Sequence, residues 1–208
     1  MLNTQPTDER HVSNWGDQME QKENQRIMLT KQLLQNAFLK LLKRVPLHAI
    51  SIRELCKEAG INRTTFYNHY GSQYDLLGDI SQRFLDSIAE RLESADFSDR
   101  ENVHRRVATV LEYIAENREL SILLINNNID PSFAERIFSL PKIGDLLEAA
   151  LGNCRDERKR AATVSFVIHG SYKLLQDWIN REDCLLPSDQ TEIILELAQR
   201  VCGQRDLT

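Results

Sequence analysis

Long apolar runs are missing from this 208-residue chain, and no stretch approaches the ~18 consecutive apolar residues that a membrane-spanning helix needs. Its first residues lack the basic and apolar regions of a secretory signal, so a cytoplasmic location and no membrane partner are expected. No glycine-rich phosphate loop, internal repeat or sustained strand alternation is present. Cys56, Cys154, Cys184 and Cys202 are widely separated, with no C-x-x-C pair to suggest zinc or a redox dithiol, so they read as reduced thiols. No nucleophile–base pair or metal-ligand spacing stands out, so neither an enzyme, nor a cofactor, nor a metal is expected. What remains, once strands and membrane spans are set aside, is an all-α chain with 41% apolar composition, enough for a substantial core.

A net charge of −5 conceals a polarity. Residues 26–75 carry +5, residues 1–25 carry −3 and residues 76–208 carry −7. A basic segment beside an acidic body suits a protein that approaches phosphates in one orientation.

The stretch SIRELCKEAGINRTTFYNHYGSQYDLL, residues 51–77, organises the reading. Ser51 followed by Glu54 is a capping-box spacing and predicts a helix from Ile52 to about Ala59. Gly60 supplies the positive φ that a sharp helix end often needs. Asn62 caps a second helix, from Arg63 to about His69, which carries the β-branched Thr64 and Thr65 where a helix built only for stability would prefer Ala, Leu or Glu. Leu55, Ala59, Ile61 and Phe66 can meet between the two helices, with Cys56 small at their approach, leaving Arg53, Arg63, Thr64, Thr65 and Asn68 outward. In a helix-turn-helix the second helix enters the major groove, and the side chains at its start reach base edges.

These residues resemble the N-terminal DNA-binding domain of the TetR/AcrR family of bacterial transcription regulators. Its pattern of helix, Ala-Gly, short recognition helix and Tyr-x-His-Phe/Tyr stands here as AGINRTTFYNHY. With YDLL following, the segment looks most like the subgroup that includes activators of dihydroxyacetone-kinase operons. The resemblance implies a homodimer of all-helical subunits on a double-stranded operator, with a variable C-terminal domain that often binds a small ligand; the alternative is a DNA-bound coactivator or organiser whose C-terminal domain serves a protein partner without a small ligand. It places Ser51, Arg53, Asn62, Thr64, Thr65, Tyr67 and His69 at positions that commonly touch DNA. Arg44 and Lys57 are expected on phosphates. Gly71 and Gln73 stand where family members frequently carry lysines. His69 is open to two readings, a phosphate contact or a packed residue of the head.

Three regions are expected: a disordered tail over residues 1–25, a helix-turn-helix domain over 26–75, and a helical effector-binding and dimerisation domain over 76–208. In the tail, Trp15 either docks or is solvated. A first helix should run from about Gln25, with Leu34, Ala37, Phe38, Leu41 and Val45 at helical spacing, and end before Pro46. Ser72 and Asp75 make a second cap spacing, for a helix to about Glu93, and Ser98 with Glu101 makes a third. Arg118–Ile125 reads as a helix, although SILLI alone could be a buried strand, and Asn126 to Asn128 end it. Two short helices should lie between Pro131 and Leu151, before a break at Gly152 and Asn153.

From Arg158 to Arg181 a long helix is apolar over more than one face, and a last helix opens at Pro187 and closes at Gly203. Covered on two sides, these helices suggest an isologous four-helix dimer interface through Val167, Gly170, Leu174, Ile193, Ile194, Leu197 and Val201, with Gly170 allowing close approach. Tyr113, Phe138, Phe166, His169 and Tyr172 are candidates for a ligand cavity, or else plain core. His169 has no second His or Cys at helical spacing to complete a metal site.

Overall fold

The computed structural model describes residues 10–93, 99–126, 129–151, 156–182 and 185–202. Among them are ten α-helices, one 3-10 turn at Leu47–Ala49 and no strand. The helices are α1 (Arg10–Leu42), α2 (Ile52–Ala59), α3 (Arg63–Tyr67), α4 (Gln73–Glu93), α5 (Arg100–Glu116), α6 (Arg118–Ile125), α7 (Phe133–Phe138), α8 (Pro141–Leu151), α9 (Glu157–Asn180) and α10 (Pro187–Cys202). The chain divides into two compact units, one ending at Leu77 and the other starting at Gly78.

In the first unit α1 packs on α2, and α2 on α3. The shared core is Leu34, Ala37, Phe38, Leu41, Leu55, Cys56, Ala59 and Phe66, all buried. Each fully covered large side chain here is worth about 1.5–3 kcal/mol of hydrophobic stabilisation. Lys40 on α1 reaches Glu58 on α2 at 3.3 Å, and Lys31 lies over the Tyr70 ring.

The first helix departs from expectation at both ends. It begins at Arg10, so residues 10–25 are helical where a tail was expected. That segment lacks an apolar stripe but also lacks proline, and the strong helix formers Gln, Glu, Met and Lys dominate only its second half, residues 18–25. The side chain of Trp15 lies outside the described residues. At the other end α1 stops at Leu42, and Val45 is exposed instead of continuing the stripe.

In the second unit α5 packs on α10, α9 on α10 and on α6, and α8 on both α9 and α10. Phe84, Leu85, Ile88, Leu111, Ile114, Leu124, Ile125, Phe133 and Trp178 fill its interior. SILLI is helical, and its buried Ser121 donates to the Ile114 carbonyl at 2.9 Å. The α5 cap is Asp99, whose carboxylate accepts from the Glu101 N–H at 3.0 Å, in place of the expected Ser98, which lies outside the described residues. Pro141 sits in the first turn of α8, where its missing N–H costs nothing. The expected breaks at Asn127, Asn128, Gly152, Asn153 and Gly203 also lie outside the described residues.

Candidate nucleic-acid interface

The turn between α2 and α3 is built from local bonds. Ser51 accepts from the Glu54 N–H at 3.2 Å and donates its hydroxyl proton to Glu54 Oε2 at 2.7 Å. The Ser51 hydroxyl bond first, and then a bond from the Ser51 backbone, hold the Glu54 carboxyl below its ordinary value. At the other end of α2, Gly60 adopts φ +69°, and the Ile61 N–H reaches the Cys56 carbonyl at 3.0 Å. Together with the Gly60 N–H on the Lys57 carbonyl, this is a Schellman closure.

Asn62 then opens α3 by accepting from the Thr65 N–H at 2.7 Å and from the Thr65 hydroxyl at 3.0 Å. These bonds sort the candidates by what each can still offer. The hydroxyl protons of Ser51 and Thr65 are already donated, so these side chains present lone pairs and, for Thr65, a methyl group. Arg53, Lys57, Arg63 and Thr64 are exposed, and their side chains make no hydrogen bond or ion pair with other described residues, so their side-chain donors point to solvent. Arg44, Asn62 and Asn68 are exposed as well. Tyr67 is 57% exposed, edge-on to the buried Phe66 ring at 5.5 Å, while His69 is half-buried beside Tyr70.

The absent lysine at position 71 has a steric counterpart. The Gly71 N–H donates to Asp75 Oδ2 at 3.0 Å, and a Cβ on Gly71 would lie 2.9 Å from that oxygen. Asp75 itself is capped by Ser72, so the entry to α4 folds back on its own backbone. Tyr74, 53% exposed in the first turn of α4, carries no marker in the sequence that would have singled it out.

In the second unit the five cavity candidates do not converge. Tyr113 stacks on Phe84 at 5.1 Å under the Arg91 guanidinium, and Phe84 meets Phe133 at 5.9 Å, with both phenylalanines buried. Phe138 and Tyr172 form a separate edge-on pair at 5.6 Å. Tyr172 donates to the Ile125 carbonyl at 2.6 Å, and burial first, then the charge of Asp130, pushes its phenol up to about 12. Phe166 is 66% exposed on α9. His169 is exposed, bonds the Ser165 carbonyl at 2.7 Å and lines an open depression of about 490 Å³ with Ala161, Val164 and Ile168. A 3.6-residue repeat gives apolar positions but not which face a neighbouring helix covers, and for Phe166 and His169 none does.

The interface candidates divide in the same way. Ile193, Leu197 and Val201 form an exposed apolar stripe along α10, and Gly170, Leu174 and Ile194 are half-buried. Val167 is buried within its own unit, pointing away from any such surface, and Phe166 beside it takes the outward place. Among the described residues no helix is long and apolar enough to cross a membrane, and no three His, Cys, Asp or Glu side chains gather around a metal-sized site.

Two family models match in succession: that of bacterial regulatory proteins of the tetR family over residues 36–80, and that of a transcriptional regulator C-terminal region over residues 101–200. The chain belongs to the TetR family. Among curated relatives, it is 30% identical over 108 residues to the HTH-type dhaKLM operon transcriptional activator DhaS of Lactococcus lactis, covering 51% of this chain and 55% of that one. It is 33% identical over 82 residues to the HTH-type regulator YxbF of Bacillus subtilis, covering 38% of this chain and 22% of that one. The chain thus spans about half the length of the first relative and less of the second. A crystal structure of a TetR regulator from Streptococcus agalactiae 2603V matches with a TM-score of 0.62 at 19% identity, covering 86% of this chain and 98% of that one, which is a likeness of fold. The chain is therefore an all-helical TetR-family transcription regulator with an N-terminal helix-turn-helix.

Proposed function

We propose that this TetR-family regulator binds a near-palindromic operator as a homodimer, with α3 of each subunit in the major groove, and is controlled through its C-terminal unit. The observation that carries the reading is the outward face of α3. Arg63 and Thr64 stand exposed and unbonded on a helix whose start is fixed by Asn62 and whose inner side is locked by buried Phe66. Side chains at the start of a recognition helix reach base edges, so Thr64 and the methyl of Thr65 read sequence. Arg44, Arg53 and Lys57 take phosphates, which position the head without reading it. The exposed stripe of Ile193, Leu197 and Val201, with Phe166 on α9, supports self-association, since an apolar face on a soluble chain calls for a cover. Heads so paired would read half-sites about 34 Å apart.

A specific observation favours a protein co-regulator over a small-molecule effector. Phe84, Phe133 and Tyr113 fill the space where aromatic residues suggested a cavity, and they pack ring to ring. The test of the main reading is selection of bound sequences from a random duplex pool by the full-length protein. A two-fold symmetric motif is expected. A selected pool no different from the input would leave the head unable to choose a site alone and would transfer the reading to a chain that needs a second protein.

A further inference from the structure

The end of α3 carries an exposed amide that the fold does not use. Helical bonding continues past Tyr67: the Asn68 N–H reaches the Thr64 carbonyl at 3.0 Å, and the His69 and Tyr70 N–H groups both reach the Phe66 carbonyl at 2.9 Å. Residues from Thr64 to Tyr70 therefore share one helical register. Phe66 and Tyr70 are 0% and 6% exposed, and they fix the direction in which this turn faces its core. At about 3.6 residues per turn, Asn68 falls about 180° from the mean of those two directions and Thr64 about 140°. Both are exposed, and neither side chain makes a hydrogen bond with other described residues. No acidic side chain stands on α3 to repel a nucleic acid.

Ending the helix does not call for an asparagine here. Asparagine is favoured just past a helix where the backbone turns left-handed. Asn68 instead sits at φ −69°, ψ −19°, in the right-handed region, and the bonds that close the helix come from its backbone N–H. In an exposed right-handed turn asparagine is a weaker helix former than Ala, Lys or Glu, so local stability does not select it either. Its chemistry fits a base edge. A carboxamide holds a donor and an acceptor side by side in one plane, and the major-groove edge of adenine presents the complement, the N7 acceptor beside the N6 donor. We propose that Asn68 reads an adenine in each half-site, with Nδ2 donating to N7 and Oδ1 accepting from N6. This deepens the function proposed above and rests on it. Four residues of helix rise about 6 Å, less than two base-pair steps of about 3.4 Å, so the adenine lies within two base pairs of the base that Thr64 meets. The free Thr64 hydroxyl donates or accepts and tolerates several bases, whereas the paired donor and acceptor of Asn68 make the stricter selection.

The test takes the motif that the full-length wild type selects from a random duplex pool and repeats the selection with Asn68→Ala and Asn68→Asp. The wild-type motif should hold an adenine, placed symmetrically in the two half-sites, at a position that opens to all four bases in Asn68→Ala while the rest of the motif stays. Asn68→Asp keeps the size of the side chain but only accepts, so the same position should turn to cytosine, whose N4 donates. A direct contact is then probed on the DNA. 7-Deazaadenine at that position in both half-sites removes N7; it should weaken wild-type binding about tenfold, within the range of bidentate base contacts, and leave the binding of Asn68→Ala unchanged. Selection of the wild-type motif at every position by Asn68→Ala, or an equal loss of affinity on all duplexes, would overturn the assignment and make Asn68 a backbone contact. Should Asn68→Ala unfold more readily than wild type, the 7-deazaadenine duplex still decides with the wild type alone, where undiminished binding refutes the contact. A wild type that selects no motif would sink the DNA-reading function itself, and the adenine with it, whereas a motif indifferent to residue 68 would sink the adenine alone.

Discussion

In the head, helix ends are held by bonds that span three or four residues; in the body, several are held by bonds that span about fifty. Ser51 with Glu54, Asn62 with Thr65 and Ser72 with Asp75 each close a helix start within a single turn. The body's α5 and α9 begin on aspartate caps too, but α6 and α7 begin with no side-chain cap. Their junction is held instead by Tyr172, Gln176 and Asn180, 47, 51 and 54 residues from their partners, and by Arg136 on Gln82. A locally closed unit keeps one shape whatever its surroundings do, which suits a surface that must fit a groove. A unit closed at a distance changes when any of its partners moves, which suits a sensor.

The largest effect expected separates two phenylalanines one in each unit. Phe66 is fully buried between α2 and α3, so Phe66→Ala removes a ring from a packed site and should cost about 3–5 kcal/mol. Phe166 is two-thirds exposed, so Phe166→Ala should leave unfolding of the monomer within about 0.5 kcal/mol of wild type. Urea unfolding at a concentration low enough to hold the chain monomeric measures both. Sedimentation at higher concentration should then show weaker self-association for Phe166→Ala. Equal losses of monomer stability would mean that Phe166 is covered within its own subunit in solution, and the proposed subunit face would have to be sought elsewhere.

The same difference between the units explains what could be read in advance. Caps are spelled by residue types three apart, so Ser51–Glu54, Asn62–Thr65 and Ser72–Asp75 were legible as letters, as was Gly60 with its positive φ. The identity of the outward α3 residues followed, because a five-residue helix with one buried phenylalanine leaves little choice of face. Residues 10–25 resemble a tail because they carry no apolar periodicity, yet α1 extends through them as an uninterrupted helix without proline. In the body, Val167 and Phe166 are neighbours of similar character, and only the placement of other helices decides that one is buried and the other exposed. Tyr113, Phe138 and His169 fell apart for the same reason: spacing along one helix does not say which other helix each residue meets. Arg136 carried no motif at all, since its partners lie 6 and 54 residues away.

A smaller effect tests whether the head is held locally. Asn62→Ala removes the acceptor for both the N–H and the hydroxyl of Thr65 and should cost about 0.5–2 kcal/mol, the usual value of an N-cap. It should also free the Thr65 hydroxyl to donate, so the preferred bases opposite Thr65 should shift along with affinity. Repeating the sequence selection with this variant checks the second point. A motif identical to that of the wild type at every position would mean that Thr65 reads no base, and that its neighbours carry the specificity of α3.

The smallest expected effect is one of pH, and it bears on the first turn of α2. The Ser51 hydroxyl and backbone bonds hold the Glu54 carboxyl below its ordinary value of 4.5, with Arg53 and Lys57 acting in the same direction. A carboxyl whose value is lowered by folding stabilises the folded state at pH above 4.5, where it is ionised in both states, and that contribution disappears as pH falls through the lowered folded value. Glu54→Gln keeps the shape of the side chain but never ionises. Its stability should therefore lie below that of the wild type near pH 7, and the two should draw together in acid, with the closure beginning as pH drops under 4.5. Unfolding followed from pH 7 to about pH 3 in both proteins measures the gap. Arg53 and Lys57 lie within a turn of Glu54 on an exposed surface, so added salt should shrink the part of the gap that they supply and spare the part that comes from Ser51. A gap that stays constant with pH would show that the Ser51–Glu54 pairing holds the helix start through geometry alone, with the carboxylate charge adding nothing.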